Sequence, residues 1–241
     1  MPRIEVVFSP ALYSYRELED SIVVVIDILR ATSAICTAFE YGVKEFIPVA
    51  TTDEAYEYKK KGFLVGAERN AIKLDWADFG NSPYDYMGDH VKDKTIVLTT
   101  TNGTQAVDVA KNAAKVIIGS FLNISAICNW LEKQDKDLVL LCSGWKNRFN
   151  LEDTLFAGAV VTELTKRKAY DELTDSALSV GYLYEMAKDD PYKFLANSSH
   201  RRRMAKLNLK KDIRYCLQLD KTTIIPTLQG ETIVKLEEVL A

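Results

Sequence analysis

The sequence has little glycine and proline, no long apolar run and no excess of basic residues. Its 241 residues include 11 Gly and 6 Pro, fewer than the roughly 12% of average usage, so the chain is neither collagen-like nor broadly disordered. Apolar runs such as Ile22–Ile26 are far too short to cross a bilayer. Glu5 lies where a signal peptide needs an apolar stretch. We therefore expect a cytoplasmic protein that has no membrane partner.

Charge and cysteine usage exclude further classes of protein. The 31 Lys and Arg residues nearly balance the 34 Asp and Glu residues, whereas a general nucleic-acid binder has a strongly basic face. We expect no nucleic-acid partner. Cys36, Cys128, Cys142 and Cys216 are scattered without a C-x-x-C pair, and the chain has only two His. This pattern favours neither a disulfide framework nor a zinc site, so the thiols are predicted to be core residues.

Short segments rich in Val and Ile alternate with helical patterns. Strands are predicted at Ile4–Phe8, Ser21–Asp27, Glu45–Ala50, Phe63–Gly66, Lys94–Thr100, Lys115–Gly119 and Asp137–Cys142. Helices are predicted at Ala31–Tyr41, from Thr51 to Gly62, and at Gly103–Asn112, Asn123–Lys133, Leu151–Arg167 and about Asp171–Lys188. This alternation predicts an α/β fold with a mostly parallel or mixed sheet.

The C-terminal third is predicted to contain a basic helical stretch around His200–Lys211, followed by β-like segments at Ile213–Gln218 and Thr222–Leu228. No linker composition divides the chain, so we expect a single domain over residues 1–241. The basic cluster His200–Arg203 has two interpretations, a solvated helix face or a dock for an anionic substrate tail.

Polar residues follow the predicted strands. In open α/β sheets, ligands bind beyond the carboxyl ends of the strands. Five such ends carry acids, an arginine, or small hydroxyl and amide groups. They are Asp27–Thr32, Ala67–Asn70, Thr99–Thr104, Gly119–Asn123 and Ser143–Gly144, with Glu152 and Asp153 just downstream. Their coincidence predicts a ligand site at one edge of the sheet.

The Thr99–Thr104 run is the candidate for anion binding. Gly103 lets backbone N–H groups approach a ligand, and the following helix presents the positive end of its dipole. Thr and Asn side chains add uncharged donors. The alternative is an ordinary N-cap turn, because Thr and Asn favour those positions.

Charged residues at the other strand ends suggest a metal. Asp27 follows a strand predicted to be buried, where a carboxylate is costly unless it meets a metal, a cation or several donors. Arg30 can clamp a phosphate or pair with Asp27. Carboxylates converging from different strand ends suit Mg²⁺, although Glu152 and Asp153 also favour the N-terminus of the following helix.

A second route to phosphate chemistry is open at Cys142. Its spacing to Arg148 matches the Cys-x5-Arg loop of cysteine phosphatases, in which a thiolate attacks phosphorus. The sequence departs from that pattern at Leu141, Gly144 and Phe149. A non-enzymatic protein that binds small anions is the other alternative.

Six blocks of sequence resemble the 2-phosphosulfolactate phosphatase family. They are Val25–Thr32, Gly66–Arg69, Phe79–Pro83, Thr99–Thr104, Gly119–Asn123 and Leu151–Thr154. The resemblance implies a three-layer α/β/α fold and Mg²⁺-dependent hydrolysis of 2-phospho-3-sulfolactate to 3-sulfolactate and phosphate, a step towards coenzyme M. A related phosphorylated hydroxy acid is an alternative substrate, and a homodimer is left open.

We therefore predict metal-assisted phosphoryl transfer at this site. The predicted catalytic residues are Asp27, Arg30 and Glu68, and the predicted Mg²⁺ ligands are Asp27, Glu68 and Asp153. The predicted substrate-binding residues are Arg69, Asn81, Thr100, Thr101, Asn102, Gly103, Thr104 and Asn123. Arg30 and the loop amides would neutralise the charge that develops on the phosphate.

Overall fold

The computed structural model describes residues 2–13 and 20–237, so the ends of the predicted single domain lie outside the described residues. The strands are β1 (Arg3–Val7), β2 (Ile22–Ile26), β3 (Glu45–Pro48), β4 (Leu64–Arg69), β5 (Ile72–Lys73), β6 (Thr95–Thr99), β7 (Lys115–Gly119), β8 (Leu138–Cys142), β9 (Glu172–Leu173), β10 (Pro226–Gln229) and β11 (Thr232–Lys235). The helices are α1 (Pro10–Tyr13), α2 (Ala31–Glu40), α3 (Thr52–Lys60), α4 (Gly103–Ala110), α5 (Ile124–Leu131), α6 (Leu151–Lys166), α7 (Asp175–Ala187), α8 (Pro191–Phe194), α9 (Ser199–Met204) and α10 (Lys210–Cys216). No described helix is long and apolar enough to cross a membrane.

Within the described ranges, the strands form one sheet in the order β5-β4-β6-β3-β11-β10-β7-β2-β8-β1-β9. It contains two groups of parallel strands, one around β6 and one around β2. The antiparallel hairpin of β10 and β11 joins these groups, since β10 pairs with β7 and β11 pairs with β3. The predicted mixed sheet is therefore confirmed.

Both faces of the sheet are covered, as the uninterrupted apolar sequence of β2 predicts for a central strand. Its alternate residues Ile22, Val24 and Ile26 belong to a core cluster with residues of α5, α6 and α7. Val23 and Val25 point the other way, into a cluster that includes residues of α2 and α4. This alternation follows from the two-residue period of a strand, and it confirms three α/β/α layers.

The C-terminal third contains the predictions that were wrong. Ile213–Gln218 was expected as β-like, but most of it lies in α10, where Ile213 and Cys216 are buried one helical turn apart. A short apolar run fits the residue period of a strand as well as that of a helix, and here packing against the core stabilises the helix. Of Thr222–Leu228, only the part from Pro226 is strand, and it pairs with β11, which was not predicted.

Gly158 allows α6 and α7 to pack very closely. A Cβ atom at Gly158 would lie 2.1 Å from the carbonyl oxygen of Val180, which is a backbone atom that cannot move aside. On α7, a Cβ at Gly181 would meet no atom nearer than 3.7 Å. The close contact between the two helices therefore depends on the missing side chain at Gly158 and not on the one at Gly181.

We expect Gly158→Ala to lower the free energy of unfolding by about 1–3 kcal/mol, because the added methyl group overpacks the helix contact. Gly181→Ala is the matched control and should be neutral or stabilising, since alanine is the better helix former. Urea unfolding followed by circular dichroism measures both. Equal midpoints for the two variants would contradict this account of the packing.

Candidate active site

A cleft lies at the carboxyl ends of β2, β4 and β8, beside the loop that follows β6. It brings together side chains from loops that are far apart in the chain. Its described lining is Asp27, Leu29, Arg30, Glu68, Ala71, Asn81, Asn102, Gly144, Trp145, Asn150 and His200. The sequence predicted that Asp27, Arg30, Glu68, Asn81 and Asn102 share one site, and they do share this cleft.

Asp27 follows the last residue of β2 and is 9% exposed. Its backbone forms a tight turn, since the N–H of Thr32 donates to its carbonyl oxygen at 3.0 Å. Burial and the neighbouring Glu68 raise the pKa of the Asp27 carboxyl to about 7, whereas the amide of Ala31 and the nearby His200 act against that rise. The Asp27 carboxylate is thus under-compensated, which is the situation a bound cation would relieve.

Glu68, in β4, connects two of the loops around the cleft. Its Oε1 accepts hydrogen bonds from the amide and hydroxyl of Thr101, at 2.8 and 2.9 Å, and its Oε2 accepts one from the amide of Ala71, at 2.6 Å. It is 4% exposed. These donors stabilise its negative charge, and they fix the turn after β4 against the loop after β6.

Arg30 is held at the cleft by an ion pair with Asp212 of α10. Its Nη1 donates to Asp212 Oδ2 at 2.5 Å, and its Nη2 donates to the carbonyl oxygen of Ala71 at 3.0 Å. Both partners of the pair are largely buried. The structure therefore pairs Arg30 with a residue distant in sequence, rather than with Asp27 as one interpretation of the sequence suggested.

Asp153 is fully buried and does not belong to the described lining of the cleft. Its Oδ1 accepts from the amide of Ile28 at 2.9 Å, and its Oδ2 accepts from the side chain of Asn150 at 2.7 Å and the amide of Gly144 at 3.2 Å. Burial, together with the nearby Asp27 and Glu152 carboxylates, raises its pKa. Asp153 thus holds the loops after β2 and β8 together. Its oxygens are no more engaged than those of Glu68, and its predicted role as a metal ligand stays a prediction.

Some N–H and O–H groups of the Thr99–Thr104 loop donate hydrogen bonds to acceptors within the same loop. The amide of Thr104 donates to Thr100 Oγ1 at 3.2 Å, and the hydroxyl of Thr104 donates to the Thr100 carbonyl oxygen at 3.1 Å. The amide of Thr101 is engaged by Glu68. The amides of Asn102 and Gly103, at the start of α4, are therefore the ones this loop can offer to an anion.

Gly103 lies directly against Asp27. A Cβ atom at this position would be 3.0 Å from Asp27 Oδ2 and 2.9 Å from the Cβ of Ala31. Glycine thus lets the loop backbone approach the carboxylate. The next loop is fixed in turn, because the amide of Lys146 donates to Asn102 Oδ1 at 3.2 Å.

Of the eight predicted substrate-binding residues, Asn81 and Asn102 belong to the described lining of the cleft and the other six do not. Thr100, Thr101, Thr104 and Arg69 border a separate cavity of about 510 Å³, and Arg69 donates to the Thr99 hydroxyl at 3.1 Å. Gly103 lies beside the cleft, against Asp27. Asn123 is fully buried, and its amide group bonds to the Ser120 amide and to the carbonyl oxygens of Ile118 and Ile224. Asn123 thus holds the C-terminal segment against the loop after β7, and its predicted role in binding the substrate stays a prediction.

Four residues at or behind the cleft are not among the predicted site residues. They are Trp145, Asn150, Glu152 and His200. The pairing of Glu152 with a histidine was not predicted, and His200 was considered only as part of its basic cluster. His200 belongs to the basic cluster at residues 200–203, and its Nδ1 bonds to Glu152 Oε1. The guanidinium of Arg203 lies 4.3 Å from the ring centre of Trp145. The available signal was that His200 is one of only two histidines in the chain.

The Cys142 alternative does not agree with the structure. The thiol is fully buried within the core cluster beneath α6. Burial, with the nearby Asp153 and Glu152 carboxylates, raises its pKa well above the usual range, which disfavours the thiolate. Arg148 is exposed. The residues that match the Cys-x5-Arg spacing therefore do not form a phosphate-binding loop.

The carboxylates of the cleft fit a cation with few protein ligands. Among the residues that the structure describes, no group of three or more His, Cys, Asp or Glu side chains could hold a metal ion. Mg²⁺ in phosphoryl-transfer sites commonly uses one or two carboxylates, with water and substrate oxygens completing its shell. Asp27 and Glu68 line one cleft and repel each other electrostatically, so this pair fits such an ion.

Known proteins confirm the resemblance. A family model described as 2-phosphosulpholactate phosphatase matches residues 7–231. A protein of Clostridium novyi (strain NT) named "Probable 2-phosphosulfolactate phosphatase" is 38% identical over 97% of this chain and 100% of its own length. Proteins with the same name from Caldanaerobacter subterraneus subsp. tengcongensis and Thermotoga maritima are each 40% identical, over 89% and 93% of this chain and 90% and 95% of their own. The chain therefore belongs to the 2-phosphosulfolactate phosphatase family, a family of phosphoric monoester hydrolases.

Proposed function

We propose that this protein is a Mg²⁺-dependent phosphatase that hydrolyses 2-phospho-3-sulfolactate to 3-sulfolactate and phosphate, a reaction of the kind used to make coenzyme M. The observation that carries the proposal is the shared cleft of Asp27, Arg30, Glu68 and Asn102. It combines carboxylates for a cation with an arginine and loop amides for an anion. The names of the similar proteins support the choice of substrate.

In this proposal, the phosphate binds between Arg30 and the amides of Asn102 and Gly103. A guanidinium that is already fixed by Asp212 loses little side-chain freedom when it binds, and amides at a helix start need no reorganisation. Asn81, which lines the cleft, orients the substrate through its side-chain amide. Asp27 and Glu68 would hold Mg²⁺, which supplies charge neutralisation at the phosphate when bound.

Asp27 is central under either route that phosphoryl transfer can take. In one route its carboxylate contributes to binding the cation, and in the other it attacks phosphorus and forms an aspartyl phosphate. Both routes need a charged carboxylate at the end of β2. The Asn side chain is nearly isosteric but carries no charge, so one substitution tests both.

The Asp27→Asn variant should lose about 100-fold or more in kcat, because the charge acts in a water-poor cleft. The measurement is phosphate release from 2-phosphosulfolactate at saturating Mg²⁺. Asp108→Asn, an exposed position on α4, is the control and should match the wild type. An Asp27→Asn variant with full Mg²⁺-dependent turnover would overturn the proposal.

Removal of the metal and removal of the thiol should have opposite effects. EDTA should abolish turnover and added Mg²⁺ should restore it, because the cleft carboxylates then lose and regain their counter-charge. The Cys142→Ser variant should keep wild-type turnover per folded molecule, since the thiol is buried away from the cleft. Loss of activity in Cys142→Ser, with no effect of EDTA, would instead indicate a cysteine phosphatase.

The Gly103→Ala variant tests the close approach of the loop to Asp27. The added methyl group would lie 2.9 Å from the Ala31 Cβ and 3.0 Å from Asp27 Oδ2, so the carboxylate, the start of α2 or the loop must shift. A shift of about 1 Å at the reacting groups costs roughly 100-fold in rate. Stability should change less than activity. Gly181→Ala, remote from the cleft, serves as the matched control. Unchanged kcat in Gly103→Ala would show that this contact has no catalytic importance.

A further inference from the structure

His200 lies at the cleft with Nδ1 engaged, and Nε2 has no hydrogen-bond partner among the described residues. Its side chain is 10% exposed, and it lines the same cleft as Asp27, Arg30 and Asn102. Nδ1 bonds to Glu152, so Nε2 is the nitrogen left for a substrate. The Trp145 ring packs beside the imidazole, with 6.3 Å between ring centres. Helix α9 thus brings an imidazole to a cleft whose other side chains come mainly from strand ends and the loops that follow them.

Glu152 fixes the orientation of the imidazole. It is 1% exposed and lies in the first turn of α6, after the loop that carries Trp145. Its Oε1 accepts the hydrogen bond from His200, and its Oε2 has no partner among the described residues. A buried carboxylate on Nδ1 holds a histidine ring in one orientation, and Nε2 is then the nitrogen that can exchange a proton with a substrate.

The proposed class of substrate needs a proton donor at the leaving oxygen. Hydrolysis of a 2-phospho hydroxy acid expels a secondary alkoxide, which is strongly basic and leaves far more readily when it is protonated. The carboxylates Asp27 and Glu68 are suited to the cation, and Arg30 to the phosphate oxygens. Within the described lining of the cleft, His200 is the side chain suited to donating a proton to the leaving oxygen.

We propose that His200 is the general acid of this reaction and that Glu152 is its positioning residue, an inference that rests on the proposed function. As the bond between phosphorus and the ester oxygen breaks, its electron pair stays on that oxygen, which takes the Nε2 proton and becomes the hydroxyl group of sulfolactate. Water supplies the new oxygen on phosphorus. One hydrogen of that water stays with the phosphate, and the other restores the proton of His200 through the solvent.

The test compares two esters in the wild type and in His200→Gln. One is 2-phosphosulfolactate, and the other is its analogue with sulfur in place of the bridging ester oxygen, whose thiolate leaves without protonation. His200→Gln should lower kcat on the oxygen ester by about 100-fold or more and keep kcat on the sulfur ester near the wild-type value, with KM little changed. Glu152→Gln should show the same selectivity with a smaller loss.

The controls separate this proposal from the proposed function. His90→Gln alters the other, exposed histidine and should behave as the wild type on both esters. Imidazole in solution should raise the turnover of His200→Gly on the oxygen ester and leave Asp27→Asn unchanged, which tests the role without relying on one variant or on the analogue. Equal losses of His200→Gln on both esters, or no loss, would overturn the role of His200 alone. A wild type that hydrolyses neither ester would overturn the proposed function itself.

Discussion

Compensation of buried negative charge is the constraint on which this site depends. Asp27, Glu68, Glu152 and Asp153 are each at most 9% exposed and lie near the carboxyl ends of β2, β4 and β8. Glu68 and Asp153 each accept three hydrogen bonds from loop donors. Glu152 is engaged by His200. Burial raises the pKa of Asp27 and of Asp153 alike, and at Asp27 the largest neighbouring charge that adds to this rise is Glu68 in the same cleft. A cation bound between Asp27 and Glu68 would relieve their repulsion, which supports the proposed metal site.

The same hydrogen bonds also build the cleft. Glu68 ties the turn after β4 to the loop after β6, and Asp153 ties the loop after β2 to the loop after β8. Each buried carboxylate is thus stabilised by donors from the loops, and the same hydrogen bonds fix the position of one loop relative to the other. A preorganised arrangement of this kind needs little rearrangement when charge develops on a phosphate.

The C-terminal third completes both the sheet and the site. Its hairpin joins the two parallel halves of the sheet, while α10 supplies Asp212 to Arg30 and α9 supplies His200 to the cleft. These residues lie far from the strand ends in sequence. The basic cluster at residues 200–203 is accordingly divided in position, since His200 lines the cleft and Arg201 packs on Tyr192 away from that lining.

The sequence by itself determined the layered fold and the edge of the sheet that carries polar groups. Alternation of Val and Ile in β2, the helical periods and the polar strand ends are local patterns, and local patterns report burial and secondary structure. Only the tertiary structure decided which polar groups form the cleft. The sequence does not distinguish Asp153 and Asn123 from Asp27 and Asn102, but in the structure they bond to Ile28 and Ile224 and do not belong to the described lining of the cleft. Arg30 and Asp212 are 182 positions apart, and a hydrogen bond over such a separation is set by packing, which no local pattern encodes.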